Sequence, residues 1–242
     1  MPEKTQAPAA SGAASGFAGA AAGKVWLITG ASSGIGEATA RRAAEAGYTP
    51  VLAARSTERL EALARELGGL ALTCDVTSWE DQENMVRATL ERYGSLDVVF
   101  ANAGVRTEHG FTKSAPEDWR AMILTNVYGA ALTLRASLPA LIESRGHLLL
   151  TGSVAGRRAL AGSLYSCTKW AVTAMGEAAR LELHGTGVRV TLIEPGLTNT
   201  PLFDDKPPLE ADDVARAVLF AVSQPPHVDV NEILVRPTAQ SV

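Results

Sequence analysis

From Lys24 almost to the end of the chain, short apolar runs alternate with longer amphipathic segments. No other property of the sequence restricts the fold as strongly. Val25-Trp26-Leu27-Ile28 is apolar throughout, as expected of a strand buried on both faces of a parallel sheet. A helix is predicted from about Gly34 to Ala46, ended by Gly47, whose missing Cβ suits a left-handed stop. Strands are predicted at Val51–Ala54, Leu70–Cys74, Leu96–Ala101, His147–Leu150, Val188–Ile193 and Ile233–Val235. Between them lie helices at Glu58–Leu67, Glu80–Tyr93, Ser163–Leu183 and Asp212–Ser223, and one long helix opened by Pro116 and running to about Ser144. Strand and helix in strict succession form right-handed parallel crossover units. The expected architecture is α/β: a doubly wound sheet of about seven strands with helices on both faces, in one domain over 23–242.

The chain has 242 residues, 46% hydrophobic and 20% charged, enough for one sizeable core. A net charge of −4 gives no reason to expect a nucleic-acid surface. Cys74 and Cys167 lie far apart, and His109, His147, His184 and His227 are scattered without ligand spacing, so neither a disulfide framework nor a metal site is expected. No run approaches the ~18–20 apolar residues that cross a bilayer, and the reading is a cytoplasmic protein. Residues 1–22 are mostly Ala, Gly, Ser and Pro, with Glu3 and Lys4 cancelling near the start. They lack the basic start and leucine-rich middle of a signal peptide and are expected to form a disordered leader.

Thr29-Gly30-Ala31-Ser32-Ser33-Gly34-Ile35-Gly36 stands between the first strand and the first helix. Glycines there permit a tight turn and bring backbone N–H groups close to a pyrophosphate at the positive end of the helix. The second strand ends Ala53-Ala54-Arg55. An acidic residue at that place would hold ribose hydroxyls and repel a 2′-phosphate; a neutral Ala54 followed by the forked guanidinium of Arg55 suits the phosphate instead. NADP(H) is therefore expected in preference to NAD(H).

Tyr165 and Lys169 are four residues apart in a predicted helix and so share one face. A free phenol has a pKa of about 10 and exchanges protons poorly at neutral pH; a nearby ammonium favours the phenolate. Such a pair could serve proton transfer to a carbonyl oxygen, which also needs a hydride donor and a group to hold the oxygen.

Together these features resemble the short-chain dehydrogenase/reductase family, with its single Rossmann-type domain. The resemblance rests on the TGASSGIG turn, Asp75-Val76 after the third strand, Ala101-Asn102-Ala103-Gly104 after the fourth, and Asn126 in the long helix. Ser153, Tyr165 with Lys169, and Pro195-Gly196 follow at family spacing. It implies that Gly30, Ser32, Ser33, Gly34, Ile35 and Gly36 wrap the cofactor phosphates. Asp75 would meet the adenine amino group with Val76 beside the ring, and Asn102, Ala103 and Gly104 would underlie the ribose. Pro195, Gly196 and Thr198 would face the nicotinamide, and Lys169 would hold its ribose. It further implies that Tyr165 is the general acid/base, Ser153 holds the substrate oxygen, and Asn126 holds a water that links Lys169 to solvent. Ala101 departs from the usual Asn of the third motif. The second Asn, Asn102, is the one expected to bridge neighbouring strands.

The expected function is interconversion of an aldehyde or ketone and an alcohol by hydride transfer. A 3-oxoacyl carrier-protein reductase shares the motifs, and a cofactor-binding regulatory protein without turnover is a reading from another class. Asn231 to Thr238 resembles the tail of a subgroup containing serine-type 3-hydroxy-acid dehydrogenases and clavulanate-type aldehyde reductases. The short segment Thr200–Leu209, with Pro201, Pro207 and Pro208, suggests an open site. Arg157-Arg158 is expected as a solvated pair, with contact to an acidic substrate as the alternative, and Cys167 as a small packed residue. The family's usual assembly through the two long helices implies a homodimer or homotetramer.

Overall fold

Val25–Thr29 (β1) is buried along its whole length, and the rest of the sheet is laid down around it. The computed structural model describes residues 21–107, 110–199 and 208–240. After β1 come α1 (Gly34–Glu45), β2 (Thr49–Ala54), α2 (Thr57–Leu67), β3 (Leu70–Thr73), α3 (Trp79–Tyr93) and β4 (Val98–Ala101). The second half continues with α4 (Pro116–Ile123), α5 (Ala130–Ser144), β5 (His147–Thr151), α6 (Leu164–Glu182), β6 (Arg189–Pro195), α7 (Ala211–Ser223) and β7 (Glu232–Val235). The seven strands form one sheet in the order β3-β2-β1-β4-β5-β6-β7, and every pairing is parallel. The order reverses between β1 and β4, which opens a crevice at the carboxyl ends of those strands.

Period-two alternation divides the apolar side chains between two layers. Val25, Leu27 and Val99 face the layer of α3, α5 and α6, where Met85, Leu141 and Val172 meet them. Trp26, Ile28 and Phe100 face the other layer, covered by Ala40 of α1, Leu60 of α2 and Val218 of α7. Burial on both faces is why these strands read as unbroken apolar runs rather than as alternating ones. Helix ends follow local chemistry. Ser78 caps α3 by accepting from the Asp81 N–H at 3.2 Å, and Gly94 ends it in the left-handed region at φ 76°.

Apart from strand and helix ends that shift by a residue or two, two features differ from the sequence reading. Pro116–Ser144 is not one α-helix: Leu124–Gly129 forms a π turn between α4 and α5. Ala21, which composition assigns to the leader, is 1% exposed and packs in the second apolar layer. The remainder of the proposed leader, residues 1–20, and most of the Thr200–Leu209 segment lie outside the described residues. No helix among the described residues is long and apolar enough to cross a membrane.

Candidate active site

The crevice at the strand reversal is one cavity of about 710 Å³. It extends from the turn after β1, past the ends of β2 and β4, to the loops after β5 and β6. The glycine turn forms one end. A Cβ on Gly36 would lie 2.3 Å from the Gly30 carbonyl oxygen, and Gly30 itself has φ +66°. The turn closes tightly only because both are glycines. Ser32, Ser33 and Ile35 line the cavity, while Gly34 opens α1.

Asn102 ties this turn to the neighbouring strands. Its side-chain N–H donates to the Thr29 carbonyl at 3.0 Å, and its Oδ1 accepts from the Thr151 hydroxyl at 3.0 Å. The backbone N–H groups of Asn102 and Ala103 both donate to the Thr29 hydroxyl, at 3.0 and 3.1 Å. One amide thus links the carboxyl ends of β1, β4 and β5, and the small Ala101 before it is buried.

At the other flank, Asp75 Oδ1 accepts from the Thr77 N–H and hydroxyl at 2.9 and 2.8 Å. The Thr77 backbone bond chiefly holds its carboxyl below the ordinary range, with a smaller contribution from the nearby Arg55 charge. Val76 is buried and lies over Gly129, where an added Cβ would come within 2.8 Å of it. Ala54 and the exposed Arg55 complete this end, and both line the cavity.

The deepest part gathers Ser153, Tyr165, Lys169 and the Pro195–Thr198 segment. Ser153 caps a short 3-10 turn, Val154–Gly156, where its Oγ accepts from the Ala155 N–H at 3.1 Å. Tyr165 and Lys169 face the same side of α6, with Lys169 Nζ 5.6 Å from the phenol ring centroid. Nζ donates to the Thr151 carbonyl at 2.7 Å. Gly104 packs beside them, since a Cβ there would lie 3.3 Å from Asn126 Oδ1 and 3.8 Å from Lys169 Nζ. Asn126, on the π turn, accepts from the Val105 N–H at 2.8 Å and donates to the Val105 carbonyl at 2.9 Å and to the Thr168 hydroxyl at 3.1 Å. Its amide holds the loop that follows β4.

Electrostatics here differ from the simple expectation that Lys169 lowers the phenol. Burial pushes the Tyr165 hydroxyl above its ordinary value, while hydrogen bonding with Ser153 and the Arg106 charge act in the opposite direction. Burial also brings the Lys169 ammonium down from 10.5 to about 8. That fall corresponds to about 3 kcal/mol against the charged form. Between about pH 8 and 10.5 the unfolded chain holds more protons at this residue than the folded one, so stability rises with pH across that window. Lys169→Met should therefore be more stable than the parent at pH 7 by about 1–2 kcal/mol, after allowing for the unpaired Thr151 carbonyl. By pH 10.5 the charge penalty is gone and the order should reverse, leaving the variant less stable by the cost of the unpaired Thr151 carbonyl. Urea unfolding at the two pH values measures it, and a difference that does not change with pH would refute the burial argument.

Three contributors escape sequence reasoning. Arg106 places its guanidinium carbon 5.8 Å from the Tyr165 ring centroid. Gln240 accepts from the Leu197 N–H at 2.9 Å, so the tail after β7 walls the cavity beside Gly196, with Thr198 buried next to it. Arg157 is not a solvated residue: it donates to the buried Glu194 carboxylate at 2.7 Å and also pairs with Glu232. Of the expected arginine pair only Arg158 is exposed, and it lines the cavity. Cys167 is exposed on α6 rather than packed. None of these contacts has a local sequence signal, because each joins residues distant in the chain.

Comparisons with known proteins point to one family. A family described as short chain dehydrogenase matches residues 24–210. An uncharacterized oxidoreductase of Staphylococcus epidermidis is 38% identical over 223 residues, covering 88% of this chain and 97% of the relative. An alcohol dehydrogenase from the archaeon Thermococcus sibiricus, solved in complex with 5-hydroxy-NADP, is 35% identical with a TM-score of 0.85. It covers 90% of this chain and 98% of its own. A closed form of serine dehydrogenase complexed with NADP+ is 33% identical with a TM-score of 0.86, over 90% of this chain and 96% of that one.

Proposed function

The chain belongs to the short-chain dehydrogenase family, and from that premise we propose that it interconverts a small carbonyl compound and its alcohol with NADP(H). The observation that carries this reading is the meeting of Ser153, Tyr165 and Lys169 at the floor of a cavity that also reaches the glycine turn. The residues present fit such a cofactor: a Cβ at Gly36 would obstruct the turn, and Arg55 lies where a 2′-phosphate needs a cation. Two structural relatives were solved with NADP or a derivative of it.

When bound, the nicotinamide supplies or accepts the hydride. Tyr165 gives its phenolic proton to the substrate oxygen during reduction and takes one from the alcohol in reverse. Ser153 donates a hydrogen bond to the same oxygen, which fixes the substrate and stabilises developing charge. Lys169 holds the nicotinamide ribose from beside the phenol ring. Asn126 braces the loop carrying Val105 and, by family likeness, holds a water through which Lys169 regains a proton. Gly30, Ser32, Ser33, Gly34, Ile35 and Gly36 bind the phosphates, Asp75 and Val76 the adenine. Asn102, Ala103 and Gly104 form the floor under the ribose, and Pro195, Gly196 and Thr198 adjoin the nicotinamide. The protein is read as a cytoplasmic homotetramer or homodimer built on the helical faces of α5 and α6; sedimentation as a monomer would end that reading.

NADPH consumption against a panel of free aldehydes and ketones tests the function. Turnover of a carrier-bound oxoacyl thioester and of no free carbonyl would replace it with the carrier-protein reductase reading. Arg55→Ala should weaken NADPH binding about tenfold, the loss of one charge-assisted contact, and leave NADH binding unchanged. Fluorescence titration of both nucleotides measures this. Equal affinities in the parent, unaltered by the substitution, would overturn the preference for NADP(H).

A further inference from the structure

We propose that Arg157 is a positioning residue for Ser153: it clamps the turn that carries this hydroxyl to the ends of β6 and β7. The proposal rests on the reductase reading above and adds a residue that acts on the reaction through Ser153.

Arg157 follows directly on the 3-10 turn Val154–Gly156, which Ser153 caps. Its Nε donates to Glu194 at 2.7 Å, and its Nη2 pairs with Glu232. Glu194 precedes Pro195 at the end of β6, and Glu232 opens β7. One forked cation thus fastens the loop after β5 to two neighbouring strands. The Glu194 carboxylate is also tied to α6, where the buried Thr173 hydroxyl donates to it at 3.4 Å. Thr173 lies one helical turn beyond Lys169 and on the same face.

The turn is pressed against both of these partners. A Cβ on Gly156 would lie 2.8 Å from the Lys169 carbonyl oxygen and 2.9 Å from Thr173 Oγ1. One on Gly152 would lie 3.0 Å from Glu194 Cγ. Ser153, by contrast, has weak ties of its own to β6. Its Oγ accepts from the Ala155 N–H inside the turn, and it reaches the Pro195 carbonyl only at 3.5 Å. The hydroxyl is therefore placed by the turn as a whole, and Arg157 is the charged link from that turn to the strands. A buried ion pair adds little net stability over apolar residues of the same size. Its directed bonds admit few arrangements, however, which is what a site needs if a hydroxyl must meet a reacting oxygen.

Introduced together, Arg157→Met and Glu194→Gln cut the link without leaving a buried carboxylate unpaired. Reduction of the panel aldehyde that the parent turns over fastest should lose about tenfold or more in kcat, because small misplacements at the reacting oxygen are costly. In a Ser153→Ala background the same pair should change kcat by less than about twofold, since no hydroxyl is left to place. Equal losses in both backgrounds, the mark of general damage to the fold, overturn the proposal. Arg157→Lys keeps a cation for Glu194 but not the fork, and it serves the same cycle if the paired substitution does not fold. It should lower kcat about threefold with Ser153 present and not at all without it; equal losses again overturn the proposal. A second measurement does not depend on turnover. The amides of Ala155 and Gly156, held by the Ser153 hydroxyl and carbonyl, should exchange with solvent about tenfold faster in either variant, well beyond any change along β1. Exchange that is unaltered there, or quickened no more than in β1, also overturns the proposal. If the parent reduces no carbonyl, the reductase reading fails on its own, and the exchange comparison still decides whether Arg157 sets the turn.

Discussion

Replacing Tyr165 with phenylalanine is expected to lower kcat for aldehyde reduction by about 10²–10⁴-fold, the usual contribution of a positioned general acid. The ring is kept, so its packing on α6 and its contacts with Lys169 and Arg106 remain. NADPH affinity should therefore stay within experimental error while the rate falls. An unchanged rate would remove Tyr165 from the chemistry. Burial gives this phenol a second, pH-dependent consequence. Because its pKa is raised, the acid form needed for reduction predominates at neutral pH. The phenolate needed for alcohol oxidation becomes available only as pH rises. Oxidation by the parent should climb with pH across the alkaline range, and reduction should not.

The largest effect on stability is expected from Arg157→Met. Glu194 is 1% exposed, and burial raises its pKa even though hydrogen bonding to Arg157 pulls the other way. Removing the guanidinium leaves a buried carboxylate without its cation, a change that typically costs about 3–5 kcal/mol. The folded state then holds a proton at Glu194 more tightly than the unfolded chain does, so stability falls as pH rises above the ordinary carboxylate range. Urea unfolding should accordingly show a larger deficit at pH 7 than at pH 5. In a Glu194→Gln background the same arginine substitution should cost much less. Equal deficits in both backgrounds would mean that Arg157 stabilises by packing alone.

The doubly wound sheet was legible because its central strands are buried on both faces. Val25 to Ile28 and His147 to Leu150 could hardly be read otherwise. The end of the cavity that holds the glycine turn was legible as a set of motifs for a related reason. Its residues are supplied by single turns at strand ends, so Gly30 to Gly36, Asp75 and Asn102 are contiguous motifs. The end around Tyr165 is assembled from pieces that no window of sequence contains. Glu194 finds Arg157 across two strand ends, Gln240 reaches back to Leu197, and Arg106 meets Tyr165 from another loop. The pKa of Tyr165 was misjudged from the spacing of Tyr165 and Lys169, because spacing reports proximity but not desolvation. The π turn at Leu124–Gly129 was missed for a different reason. Its apolar pattern continues that of the flanking helices, and nothing in its composition marks the wider winding.

That turn makes the segment far more sensitive to changes of length than of side chain. A π turn holds one residue more than the α-helix would use, so the helical run from Pro116 to Ser144 carries a built-in insertion. Excising a single residue from Leu124–Gly129 would let the run wind evenly as α-helix and remove the wide turn from which Asn126 projects. Asn126 could no longer meet both Val105 and Thr168, and the loop bearing Arg106 would lose its anchor. Homologous chains with working sites should therefore share one spacing between the Asn102-Ala103-Gly104 and Ser153 positions across this stretch. Gaps in their alignment should gather in the surface turns on either side.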